Sequence, residues 1–166
     1  MPSRRRLILM RHAKSSWKSD AQTDHDRPLN KRGRRDAPRV AARLIELDWG
    51  PQLILSSDAT RTQQTVEGMA AQLCDDIGVT FSRRLYHAGI EAVRDAVVDL
   101  PDEIETVMVL GHNPGWEEAL AWLSDSREIL KTACAALLEG EAESWAAAVA
   151  APGGFHLETI IKPREL

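Results

Sequence analysis

Short apolar runs recur along the chain, and three of them stop abruptly at polar residues. Leu7-Ile8-Leu9-Met10 ends at Arg11-His12, Leu53-Ile54-Leu55 at Ser56-Ser57-Asp58, and Thr106-Val107-Met108-Val109-Leu110 at Gly111-His112-Asn113-Pro114. Val79 to Ser82 reads as a short third strand. Runs of this length predict strands buried on both faces. Between them the apolar positions change to helical spacing. Asn30 caps a helix with Ala37, Val40, Ala41, Leu44, Ile45 and Leu47 on its inner face, and Trp49-Gly50-Pro51 ends it. Pro38 inside that segment predicts a kink or a late helix start. Further helices are predicted through Thr62, Val66, Met69, Ala70 and Leu73, then through Val93, Ala96, Val97 and Leu100. The next carries Trp116, Leu120 and Leu123 inward, with Asn113 as cap and Pro114 at its first position. The polar stretch from Lys14 to Arg27 lacks periodicity and reads as a loop over the strand ends.

The last third has a different rhythm. Ala133 to Glu139, Ser144 to Ala150 and Phe155 to Ile161 read as strand-like pieces separated by Gly140 and Pro152-Gly153-Gly154, and such short turns predict antiparallel pairing. The alanine-rich piece Trp145 to Ala151 fits a strand or a helix. Alternating strands and helices up to Leu123 give an α/β class: a three-layer sandwich with a mostly parallel central sheet, helices on both faces and an antiparallel C-terminal portion. At 166 residues the chain is expected to be one domain, 1–166, with a core that needs no metal or disulfide.

Composition narrows the function classes. The net charge of -4, from 21 basic and 25 acidic residues, argues against general nucleic-acid binding. Cys74 and Cys134 lie in apolar surroundings without paired spacing, which predicts buried free thiols. The basic start Ser3-Arg4-Arg5-Arg6 precedes only four apolar residues, too few for a signal-peptide core or a membrane span, so a cytoplasmic protein with no membrane partner is expected.

In an open α/β sheet the ligand crevice lies beyond the carboxyl ends of the parallel strands. Arg11, His12, Arg61 and His112 would converge there, two imidazoles and two guanidiniums suited to clamping a phosphoryl group. The helix N-termini after Ser57 and Asn113 would add backbone donors. Taken singly, Arg61 could be a surface arginine and His112 a capping or core histidine. Trp17 would sit near the pocket, whereas Trp49, Trp116, Trp122 and Trp145 read as packing residues. His25 and His156 read as structural or surface histidines.

The set Leu-Ile-Leu-Met-Arg11-His12-Ala13, Leu55-Ser56-Ser57 with Arg61 and Thr65, and Leu110-Gly111-His112-Asn113-Pro114-Gly115 resembles the histidine phosphatase superfamily, in particular its SixA-like phosphohistidine phosphatase branch with a phosphoglycerate mutase-like fold. Asp26-Arg27-Pro28-Leu29-Asn30, Leu85-Tyr86 and Lys162-Pro163 extend the likeness over most of the chain. The resemblance implies that His12 is the nucleophile, that Arg11, Arg61 and His112 bind the phosphoryl oxygens, and that Ser15 and Arg27 are further phosphate contacts. A cation beside His12 would favour its neutral, nucleophilic form. No cofactor or metal is implied; the arginines would repel a cation, and no carboxylate completes a zinc set.

Two departures bear on the substrate. Ala13 stands where the superfamily usually has glycine. The glutamate that mutase-like members place after the third strand is absent, since this chain has Leu85-Tyr86-His87 there, and Asn113 replaces the aspartate of phytase-like members. An alkoxide leaving group needs a positioned acid, whereas imidazole leaves readily once protonated. The expected function is therefore a metal-independent phosphatase working through phosphohistidine on His12, with a phosphohistidine-bearing partner protein as substrate. Short loops would leave the pocket open to such a partner. The alternatives are a small-molecule phosphomonoesterase and a phosphate-binding module without turnover. Asp24, Asp26, His87 and Glu91 stay as possible loop donors, although His87 otherwise reads as an exposed loop histidine.

Overall fold

Alternation along the central strand builds the layers. In the computed structural model, which describes residues 1–166, β1 (Ser3–Arg11) sends Leu7 and Leu9 to one face of the sheet and Ile8 and Met10 to the other. Each pair enters its own core. The first is closed by α3 (Ile90–Val97), α4 (Gly115–Ser124) and the short α5 (Trp145–Ala148), through Val93, Val97, Trp116, Leu120 and Trp145. The second is closed by α1 (Lys31–Glu46) and α2 (Thr60–Ala70), through Val40, Leu44, Val66 and Met69.

The sheet runs β3-β2-β4-β1-β5-β6, with β2 Leu53–Ser57, β3 Gly78–Ser82, β4 Thr106–Gly111, β5 Ala135–Ala142 and β6 His156–Ile161. The first four strands in chain order are mutually parallel, while β5 and β6 are antiparallel, as the turn signals predict. The carboxyl ends of β1, β2 and β4 are thus neighbours at one rim.

Several local expectations are corrected. β1 begins four residues before its apolar run because Ser3 to Arg6 pair with Glu139 to Ala142 of β5. The buried Arg5 is tolerated there because it donates to the carbonyls of Asp102, Ala142 and Glu143 at 3.2, 3.3 and 3.0 Å. Helix α1 starts directly after Asn30, whose side chain accepts from the Gly33 amide at 2.9 Å, so Pro38 causes no late start. Ile45 and Ala70 face solvent rather than the core. Leu73 and Leu100 lie beyond their helices. Ser144 caps Ala147 at 3.0 Å and turns the alanine-rich piece into α5, not a strand. Asn113 does not cap α4. Its peptide to Pro114 is cis, Pro114 takes the cap position, and the Asn113 amide donates to the Leu130 carbonyl at 2.7 Å. Cys134 is buried, but Cys74 is exposed because it follows α2 in a surface turn.

Candidate active site

At the end of β1 the backbone turns out of the sheet and is fastened on three sides. The His12 amide donates to the Gly111 carbonyl (3.1 Å), the His12 carbonyl accepts from Ala133 (2.9 Å), and the Ala13 amide donates to Thr65 Oγ1 (3.0 Å). Thr65 in turn donates to the carbonyl of Arg61 at 2.7 Å, so one hydroxyl ties the nucleophile candidate's loop to the helix carrying the arginine.

The His12 ring is anchored through one nitrogen. Nδ1 lies 2.7 Å from the Ala13 carbonyl, which can only accept, so Nδ1 carries the proton and Nε2 keeps its lone pair. Burial pushes the imidazole down to about 3; the bond to Ala13 opposes this, and the charges of Arg61, Arg11 and Arg27 add to it. The ring is neutral, as expected, but desolvation outweighs the neighbouring cations as the cause.

His112 leaves β4 facing the same pocket, its ring centroid 5.2 Å from that of His12. Arg61 donates to its Nδ1 at 3.3 Å, and its Nε2 is 2.8 Å from Ser57 Oγ at the end of β2. An arginine cannot accept, so neutral His112 donates from Nε2 to Ser57. Burial pushes His112 down to about 2, helped by His12, Arg61 and His87 and opposed by Asp24.

Arg61 is buried and Arg11 half-buried, and both guanidiniums are incompletely bonded. Arg11 donates to the Leu130 carbonyl at 3.1 Å, and Arg61 to the Asp24 carbonyl at 2.7 Å and its carboxylate at 3.0 Å. The Nε atoms of both have no partner. Burial lowers the Arg11 pKa, the Glu117 and Cys134 charges oppose this, and Arg61 lowers it further. A tetrahedral oxyanion brings acceptors to such a cluster. No group of three or more His, Cys, Asp or Glu side chains is arranged to hold a metal ion.

Arg27 and Ser15 stand one step back. Arg27 donates to Ser15 Oγ (3.0 Å) and to Asp24 (3.1 Å), and stacks 3.5 Å over the exposed Trp17 ring. The loop from Lys14 to Arg27 brings Asp24 in on a single 3₁₀ turn, Asp24–Asp26, capped by Thr23. Its Oδ2 accepts from Arg61, from the Tyr86 hydroxyl at 2.6 Å and from His87 Nε2 at 3.2 Å. Burial alone would raise the Asp24 pKa, but Tyr86, Arg61 and Arg27 outweigh it and hold the carboxyl well below its ordinary range.

Residues 7–87 match the histidine phosphatase superfamily (branch 1). The chain belongs to that superfamily. An uncharacterized chloroplastic protein of Arabidopsis thaliana, At3g52155, is 46% identical over 171 residues, covering 96% of this chain and 78% of its own. The SixA structure from Nakamurella multipartitia superposes with a TM-score of 0.85 at 26% identity, over 98% of this chain and 99% of that one. The protein histidine phosphatase SixA complexed with tungstate gives 0.81 at 20% identity, over 96% and 98%. The superfamily's mixed six-stranded α/β fold, with its parallel core and antiparallel C-terminal strands, is the fold expected from the sequence. The part of the site contributed by His112 lies outside the matched span.

The sequence pattern gives Ser57 and Tyr86 no side-chain role and reads His25 as structural or surface. The structure engages all three: His25 bonds Asp58 at 2.7 Å and meets the Tyr86 ring edge-on at 4.8 Å. Ser57, at a strand end beside a helix, was the one with a usable signal.

Proposed function

We propose that this chain is a metal-independent phosphatase in which His12 Nε2 takes the phosphoryl group and water then releases it. Residues 1–166 act as one catalytic domain. The carrying observation is a buried imidazole with one nitrogen unbonded, beside two arginines whose Nε–H groups are buried without partners. Phosphoryl oxygens would satisfy those donors, with Arg11, Arg61 and His112 as the clamp and Ser15 and Arg27 behind it. As charge passes to the phosphoryl oxygens, fixed guanidiniums stabilise it without reorganising.

The preferred substrate is phosphohistidine on a partner protein in the cytoplasm. The exposed Trp17 and Ile129 support a protein-sized partner: Trp17 stacks on Arg27, and Ile129 adjoins Leu130, whose carbonyl binds Arg11. Incubation with a radiolabelled phosphodonor should leave an acid-labile, base-stable label on the wild type and none on His12→Ala. Label persisting in that variant removes the nucleophile assignment. Sugar phosphates turned over several hundredfold faster than a phosphohistidine protein would select the phosphomonoesterase instead. Orthophosphate binding without any turnover would select the binding module.

A further inference from the structure

Neither buried histidine can supply the proton that a leaving group needs. His12 and His112 are neutral, their single N–H groups engaged by Ala13 and Ser57. Asp24 is held ionised by its cationic and hydroxyl partners. One further imidazole reaches the pocket, and it is differently placed.

His87 follows the turn after β3 with φ 51°, a left-handed conformation costly for a residue with a Cβ and often retained where a side chain must be aimed. Its ring stacks on Tyr86 (centroids 4.0 Å, 24° apart) and meets His112 edge-on at 5.8 Å. The adjoining backbone is pressed against α4, since a Cβ on Gly115 would fall 1.7 Å from the Ala88 carbonyl oxygen. Nε2 faces the Asp24 carboxylate at 3.2 Å. An ionised carboxylate only accepts, so it fixes Nε2–H and leaves Nδ1 as the exchangeable position. The side chain is 59% exposed and can be reprotonated from water. It also borders a cavity of about 370 Å³, together with Asn113, Gly115 and Glu118 at the start of α4.

Building on the phosphatase reading, we propose that His87 is the proton donor to the leaving group, oriented by Asp24, and that the leaving group occupies the cavity between His87 and the start of α4. In the first step the His12 Nε2 lone pair forms the bond to phosphorus. The phosphorus bond to the leaving nitrogen breaks, and that nitrogen keeps the electron pair and takes the proton from His87 Nδ1. In the second step water attacks phosphorus, the P–Nε2 bond returns its pair to His12, and the water proton passes to a phosphoryl oxygen. Phosphate leaves and His87 is protonated again. The groups facing His87 are Asp24 on the 3₁₀ turn, Tyr86 beside it, His112 at the end of β4 and, across the cavity, Glu118 of α4; Arg61 of α2 stands behind Asp24.

The test compares His87→Gln with wild type on two substrates across pH: a phosphohistidine peptide, and an activated aryl phosphate whose phenolate leaves without a proton. At neutral and alkaline pH the variant should lose about 10²- to 10⁴-fold on the peptide. It should keep the aryl rate within a few-fold. As pH falls and solution protonates the substrate ring, its peptide rate should return toward wild type. An equal loss on both substrates, an unchanged peptide rate, or wild type leaving the peptide intact would each overturn the donor assignment. Failure of the underlying reading is separately visible as absence of label on His12 in the wild type.

Discussion

A lone pair on His12 is available because the ring's other nitrogen is given to a carbonyl and its surroundings exclude water. That arrangement has a thermodynamic signature. His12 and His112 have folded values of about 3 and about 2, below their ordinary 6.5. Below pH 6.5 the unfolded chain takes up protons that the native state refuses, so stability falls as pH falls. Each histidine contributes about 1.4 kcal/mol per pH unit until its folded value is approached. His112→Asn, measured by denaturant titration from pH 7 to 4, should show a pH slope shallower by about that amount. An unchanged slope would mean that His112 is not buried neutral. Arg11, His12, Arg61 and His112 were legible in the sequence because strand and helix ends pin them in a family pattern. Tyr86 and His25 were not, since loop residues carry no period and their partners, Asp24 for Tyr86 and Asp58 for His25, are distant in sequence.

Elements meet at this rim through glycine as much as through polar groups. Gly111 lets β4 cross Trp116, whose ring would lie 2.4 Å from an added Cβ, and Gly115 admits the Ala88 carbonyl at the start of α4. Gly115→Ala must move backbone rather than a pliable side chain. It should cost about 1–3 kcal/mol in denaturant unfolding, and phosphohistidine turnover should fall more than orthophosphate affinity, because the displaced segment carries His87 and not the clamp. A substitution that is neutral in both measurements would show that the close approach has no consequence. Strand runs and the faces of α1 and α4 were readable from apolar spacing, apart from Ile45. The start of α4 and the fate of Trp145 to Ala151 were not. Local bonds decided both: the Asn113 side chain turns to Leu130, and Ser144 caps a helix.

At the scale of the molecule, an acidic chain sets the buried Arg61 and the half-buried Arg11 together at one sheet rim. Orthophosphate at a hundred times its dissociation constant should stabilise the fold by about 2.7 kcal/mol. That is a thermal shift of roughly 2–4 °C per kcal/mol for a chain of this size. Arg61→Gln should abolish the shift, and a shift retained in that variant would place the anion elsewhere. The α/β class and the antiparallel end followed from the order of apolar runs, whereas the strand order depends on long-range pairing that no local window contains. That order has a consequence during synthesis. Of the six strands, β1 is made before the others and waits in the middle of the sheet for neighbours supplied by β4 and β5. A nascent chain therefore holds His12 without the Gly111 carbonyl and Ala133 amide that fasten it until β4 and the approach to β5 have been made.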